Sequence, residues 1–111
     1  MPSIEVRGKT LETDEEGYLA NLGDWEPGVA EFYAQQDKLE LGDDHWEVIN
    51  FLREYYEEYK VAPAVRILYR NIGKRLGKEK GNGKYIYSLF PFGPAKQACK
   101  YAGLPSPTGC V

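Results

Sequence analysis

Prolines and glycines set the upper limit on element length in this chain. Pro27, Pro63, Pro91 and Pro94 each stop a helix that reaches them, and Gly42, Gly77 and Gly103 add further stops. No stretch approaches the roughly 20 apolar residues that cross a bilayer. The chain is therefore expected to fold as short helices packed on one another. Its 111 residues fit one domain. Aromatic residues make up 14%, enough bulk for a core, which argues against a disordered chain.

The first 23 residues carry strand and turn signals instead. Ile4-Glu5-Val6 alternates, Arg7-Gly8-Lys9 can turn, and Thr10-Leu11-Glu12 can pair back, with Asp14-Glu15-Glu16-Gly17 as a second turn. A hairpin or three-stranded ribbon is expected. Helices follow. Asp24 to Pro27 is a helix start, with Pro27 in the first turn, where its missing N–H is not needed. This helix should run to about Gln36 and turn Val29, Phe32 and Tyr33 inward. Asp44 and Glu47 have capping-box spacing for a helix from His45 to Tyr59. Val48, Ile49, Leu52, Tyr55, Tyr56 and Tyr59 recur on one side of it and are assigned to the core.

A third helix is expected from Ala64 to Leu76, with Val65, Leu68, Ile72 and Leu76 facing inward. Arg66, Arg70 and Lys74 form a basic stripe on its other side. Residues 77–84 read as a basic, flexible loop, Tyr85 to Phe90 as a short helix or turn, and Pro94 to Ala102 as the last helix. The fold class is thus mainly α with a small N-terminal β-hairpin. It is a compact, helix-turn-helix-like bundle over residues 1–103 (hairpin region 1–23, helices 24–103), and residues 104–111 form a flexible C-terminal arm.

Charge is divided along the chain. Residues 1–60 carry 16 acids against 5 bases, whereas residues 61–111 carry 9 bases and a single acid, Glu79. A basic face suggests an anionic ligand, a nucleic acid or an acidic protein surface. The opening residues lack the basic and apolar segments of an export signal, so a cytoplasmic location without membrane insertion is expected.

Two cysteines are too few for a disulfide scaffold. Cys99 falls on the last helix, and Cys110 is the penultimate residue, on an arm containing Pro105, Pro107 and Gly109. The seven steps from Gly103 to Cys110 span at most roughly 24 Å. Such an arm can enter a partner's narrow channel or fold back to Cys99. A helix C-terminus disfavours a thiolate at Cys99, and Lys96 and Lys100 oppose that effect. Cys99 reads equally well as a small buried apolar residue beside Ala95, Ala98 and Ala102. Arg66, Arg70 and Lys74 are a candidate docking surface for the arm.

The segment Phe90-Pro91-Phe92-Gly93-Pro94-Ala95-Lys96-Gln97-Ala98-Cys99-Lys100, followed by Ala102-Gly103-Leu104-Pro105-Ser106-Pro107-Thr108-Gly109-Cys110-Val111, closely resembles the C-terminus of the DsrC/TusE sulfur-carrier family. His45-Trp46-Glu47-Val48-Ile49 and Pro63-Ala64-Val65-Arg66 are similar to central segments of that family. TusE-type members typically keep only the penultimate cysteine; this chain keeps both and so resembles the DsrC branch. The resemblance implies a non-enzymatic sulfur carrier and protein co-substrate, the so-called gamma subunit, of dissimilatory sulfite reductase. Cys110 would accept sulfur, and Cys99 would join it in a trisulfide or disulfide for onward reduction. The implied partners are the catalytic subunits of that reductase and a membrane-bound trisulfide reductase or sulfurtransferases. Sirohaem and iron-sulfur clusters would belong to the partner, leaving no cofactor on this chain. A TusE-like relay to tRNA thiolation is the neighbouring alternative.

Other signals are weaker. Residues 77–84 lack the spacing and the Ser/Thr of a phosphate loop. His45 is the sole histidine and is expected at the surface of a helix start, with no metal partners. Glu54, Glu57 and Glu58 read as a solvated face. From another class, a winged-helix-like nucleic-acid-binding regulator would use Arg66, Arg70 and Lys74 as its recognition helix and residues 77–84 as a wing. That reading leaves the cysteine arm unused.

Overall fold

The computed structural model describes residues 2–106. It has a two-stranded antiparallel hairpin, β1 (Ser3–Val6) and β2 (Lys9–Glu12), followed among the described residues by helices α1 (Pro27–Gln36), α2 (Asp43–Tyr59), α3 (Val65–Leu76), α4 (Gly83–Leu89) and α5 (Pro94–Tyr101). Arg7 and Gly8 form the two-residue turn with φ of 49° and 81°, the positive pair that matches strand twist in a tight hairpin. Val6 and Leu11 are buried. A Cβ on Gly28 would lie 2.9 Å from Val6 Cγ1, so the absence of a side chain there lets β1 sit close on α1. The ribbon gains no third strand: a single bridge pairs Thr13 with Leu19. Asp14 Oδ1 accepts the Glu16 and Tyr18 amides at 2.9 and 3.0 Å, curling the intervening turn.

The start of α2 differs from the expected capping box. Asp44 is engaged elsewhere, accepting the Tyr85 hydroxyl and, at 2.9 Å, Lys80 Nζ, while Glu47 lies 3.7 Å from Arg75. His45 takes over the capping. Its Nδ1 accepts the Gly42 amide at 3.1 Å, which makes Nε2 the protonated nitrogen that donates to the Leu89 carbonyl at 2.9 Å. The expectation of a surface histidine is thus overturned. The end of α4 and Phe90 lie over the ring, the two rings 5.3 Å apart. Periodicity within α2 could not reveal a cover supplied some 40 residues later.

Val48, Ile49, Phe51 and Leu52 are buried as the helical period requires. Of the tyrosines beyond them, Tyr55 and Tyr56 are half-buried and pack against that core, whereas Tyr59, expected there too, is 56% exposed. In α3, Leu68 and Ile72 are buried, whereas Arg66, Arg70 and Lys74 are exposed. The basic stretch after α3 is more ordered than its composition implies. It forms a 3-10 turn over Lys78–Lys80, and Asn82 Oδ1 caps α4 by accepting the Tyr85 amide at 2.9 Å. A Cβ on Gly81 would lie 2.6 Å from Gly73 Cα, so the glycine lets this turn press against α3.

α5 is the hub. It packs against α1, α2 and α4, while α3 packs on α2. Every α5 residue except Lys96 and Lys100 is buried. Its polar groups have partners. Tyr101 donates its hydroxyl to Asp37 Oδ2 at 2.7 Å, and Gln97 Nε2 donates to the Tyr101 oxygen at 3.1 Å. Among the described residues no helix is long and apolar enough to cross a membrane.

Burial holds the His45 imidazole below its ordinary value of 6.5. The unfolded chain therefore binds a proton that the folded one resists. This contribution to stability is complete above about pH 6.5 and is lost as pH falls toward the folded value. Urea midpoints should decline between pH 7.5 and 5, and His45→Gln should flatten that decline.

Candidate functional site: the Cys99 helix and the base of the arm

Cys99 lies in the last turn of α5 with 1% of its surface exposed. Both readings of this residue in the sequence required the last helix, and the structure supplies the burial. The helix ends here because Gly103 adopts φ +75°. The Gly103 amide then bonds the Lys100 carbonyl at 3.2 Å, and the Leu104 amide bonds the Cys99 carbonyl at 3.0 Å. This is a Schellman closure, and Leu104, 1% exposed, fills its apolar position in the core.

Two side chains satisfy the remaining carbonyls. Trp25 Nε1 donates to Tyr101 O at 2.8 Å, and Arg53 Nη1 donates to Ala102 O at 2.7 Å. The Arg53 guanidinium also stacks 4.1 Å from the Trp25 ring centroid. Its charge sits at the negative end of α5, where a cation is favoured. Trp25 and Arg53 were not singled out from the sequence. No local motif marks them, because their partners are backbone carbonyls 76 and 49 residues away.

On the flank of α5, the Tyr18 hydroxyl donates to the Lys96 carbonyl at 3.3 Å, in the first turn of the helix. Lys100 Nζ lies 5.3 Å from the Tyr18 ring and 5.8 Å from the Tyr33 ring. Burial pushes the Tyr18 phenol above its ordinary value, and negative charge on Cys99, Glu16 or Asp14 raises it. Tyr18 was not singled out in the sequence.

Of the expected basic residues, the structure brings Lys96 and Lys100 to the helix that bears Cys99. Arg66, Arg70 and Lys74 lie on α3, which packs on α2. Arg70 and Lys74 border a shallow hollow with Tyr69, Gly73 and Lys78. A cleft of about 480 Å³ between α2 and α3 is lined by Glu54, Glu58, Arg70 and Arg75 among others, and Cys99 is not one of its lining residues. Among the described residues no cluster of three or more His, Cys, Asp or Glu could hold a metal ion. Cys110 lies outside the described residues.

The described fold is a small, mainly helical protein with a hairpin at its start and a buried cysteine in the last turn of its hub helix. The family described as "DsrC like protein" matches residues 5–111. Sulfurtransferase TusE from Photorhabdus laumondii is 51% identical over 111 residues, covering 100% of both chains. The solution structure of Allochromatium vinosum DsrC is 70% identical with a TM-score of 0.88, covering 98% of this chain and 97% of that one. The oxidised gamma subunit of dissimilatory sulfite reductase from Archaeoglobus fulgidus is 45% identical with a TM-score of 0.87, covering 99% and 100%. The chain belongs to the DsrC-like family.

A Cβ on Gly103 would meet Trp25 Cδ1 at 2.4 Å, in a backbone conformation that already favours glycine. Gly103→Ala should therefore cost about 2–4 kcal/mol in urea unfolding, more than the ~1 kcal/mol of an unstrained left-handed site. Iodoacetamide should modify Cys99 on the order of a hundredfold more slowly in the folded protein than in urea, since the thiol reacts only through local opening.

Proposed function

We propose that this protein is a sulfur carrier that accepts sulfur as a persulfide on Cys110 and resolves it with Cys99. The observation that carries the reading is the course of the chain after α5. The Leu104 amide bonds the Cys99 carbonyl, so the arm leaves from the helical turn that carries this cysteine. From Leu104, the six steps to Cys110 reach at most about 21 Å. That reach supports both a meeting of the two thiols and delivery of Cys110 to a partner.

The chemistry divides between the two sulfurs. A thiol on the arm has access, which sulfur acceptance requires. A buried thiol is protected from irreversible oxidation until a sulfur-bearing partner reaches it. Lys96 and Lys100 supply positive potential on that helix, favouring thiolate and anionic sulfur species. Cys99 attacking the persulfide on Cys110 at its inner sulfur expels hydrosulfide and leaves a disulfide. Retaining the extra sulfur as a trisulfide requires loss of two hydrogens to an oxidant.

Two donor systems fit this carrier. The curated relatives are named sulfurtransferase TusE, which favours a relay that hands the persulfide on to another sulfurtransferase, as in tRNA thiolation. The second cysteine, Cys99, and the likeness to DsrC structures favour the other reading, a co-substrate of dissimilatory sulfite reductase. In that reading sulfite, both thiols, two electrons delivered by the reductase and four protons give the trisulfide and three waters.

Intact mass after turnover separates the two readings. A gain of one sulfur with loss of two hydrogens, linking both cysteines, identifies the reductase route. A gain of one sulfur alone, passed on to a second thiol protein, identifies the relay. Cys110→Ala should abolish loading in both cases, and Cys99→Ala should load but fail to close the bridge. Full loading of Cys110→Ala would overturn the carrier reading.

A further inference from the structure

A large aromatic side chain stands in solvent where the chain enters the helix that carries Cys99. Phe90 to Gly93 form a tight turn, closed by the Gly93 amide on the Phe90 carbonyl at 3.3 Å, with Pro91 fixing the first central position. The two phenylalanines of this turn have opposite fates. Phe90 is buried, edge-on to the Tyr101 ring at 5.5 Å, whereas Phe92 at the tip is 67% exposed. The backbone beneath Phe92 is nevertheless held. Its amide donates to Gln97 Oε1 at 2.8 Å, and Gln97 Nε2 donates to Asp37 Oδ2 at 3.2 Å and to the Tyr101 oxygen at 3.1 Å. A buried polar network thus fixes the position of a ring that contributes little to the core. Tyr87, in the last turn of α4, is exposed as well. The charges along this stretch have one sign: from α4 through α5 the ionic side chains are Lys84, Lys96 and Lys100. Lys96 is exposed in the first turn of α5, where the helix dipole disfavours a cation, and it makes no ion pair among the described residues.

We propose that Phe92 is the docking anchor for the protein that exchanges sulfur with this carrier: its ring enters an apolar pocket on that partner, and carboxylates at the pocket rim meet Lys96. The inference rests on the sulfur-carrier reading and adds to it a contact made by the folded body, not by the cysteine arm. A ring already fixed in its presenting position loses little freedom on docking, which is the property of aromatic hot spots. The charge pattern selects an acidic rim, since lysines without carboxylate partners of their own steer and orient a negative surface. The place in the fold selects the sulfur-exchange partner. The Gly93 carbonyl accepts the Gln97 amide at 2.8 Å, so the turn and α5 form one rigid unit. The eight residues of α5 span about 12 Å, so a protein seated on Phe92 at one end also lies close to the chain that leaves the other.

The test separates docking from sulfur chemistry. The full chain carrying Cys99→Ala and Cys110→Ala, which cannot exchange sulfur, is titrated against two proteins: the catalytic subunits of dissimilatory sulfite reductase, and a sulfurtransferase of a persulfide relay. It should bind one of them. Adding Phe92→Ala should raise that Kd about tenfold to hundredfold, the effect of removing an aromatic hot spot, and Phe92→Leu should raise it less. Lys96→Glu should weaken the same complex and reduce its dependence on salt. The urea midpoint should not move with Phe92→Ala, because the ring is exposed, and Tyr59→Ala, at a comparably exposed aromatic on the end of α2, should leave Kd unchanged. Equal affinity of the Phe92→Ala and parent chains would overturn the anchor, and so would an equal loss from Tyr59→Ala, which marks nonspecific adhesion. Binding to neither protein would overturn it too. Loading of Cys110 in the two-cysteine chain, read by intact mass, tests the carrier reading separately. A chain that loads but docks without Phe92 loses only the anchor; a chain that docks through Phe92 but never loads loses the carrier reading and the sulfur-exchange role of the anchor with it.

Discussion

The architecture around the cysteine depends on how α5 ends. A helix terminus inside a protein leaves four carbonyls without intrahelical partners, and each one buried unsatisfied costs on the order of 1–3 kcal/mol. Here all four are met. The Gly103 and Leu104 amides take Lys100 and Cys99, and Trp25 and Arg53 take Tyr101 and Ala102. Two distant parts of the chain thus converge on one helical turn. The hub helix stays buried on almost every side, and the chain leaving it has a fixed starting direction.

That direction gives the buried cysteine its chemical sense. A thiol that is 1% exposed is a poor reagent toward solvent, and a thiol used as an intramolecular partner does not need solvent. The chain leaving α5 is tied to the carbonyl of Cys99 itself through the Leu104 amide. Lys96 and Lys100, the two α5 residues that are not buried, carry positive charge on the same helix, and Arg53 sits at its end. The α3 stripe stands on another layer, across α2. Its exposed Arg66, Arg70 and Lys74 make a separate basic surface, and Arg70 shares its neighbouring cleft with Glu54 and Glu58.

Much of this was legible in the sequence. Proline and glycine stops placed the helices, since a missing N–H and a tolerated positive φ are local properties. The hairpin turn, the inward faces of α2 and α3, and a cysteine on the last helix followed from periods of two and of 3.6. What local rules could not supply was the partner of each polar group. Asp44 and Glu47 had capping spacing, but Tyr85, Lys80 and Arg75 claimed their carboxylates. His45 became the cap and was buried under α4 and Phe90. Tyr59 had core spacing, but it remains exposed at the end of α2.

The sequence by itself determined the elements, the charge division and the two cysteines with ten residues between them, because these are written in neighbouring residues. Only the tertiary structure decided that Trp25 and Arg53 would meet the end of α5 and Tyr18 its first turn. Hydrogen bonds across 49 to 78 residues leave no periodic trace, since the partners are backbone carbonyls that every residue type carries alike.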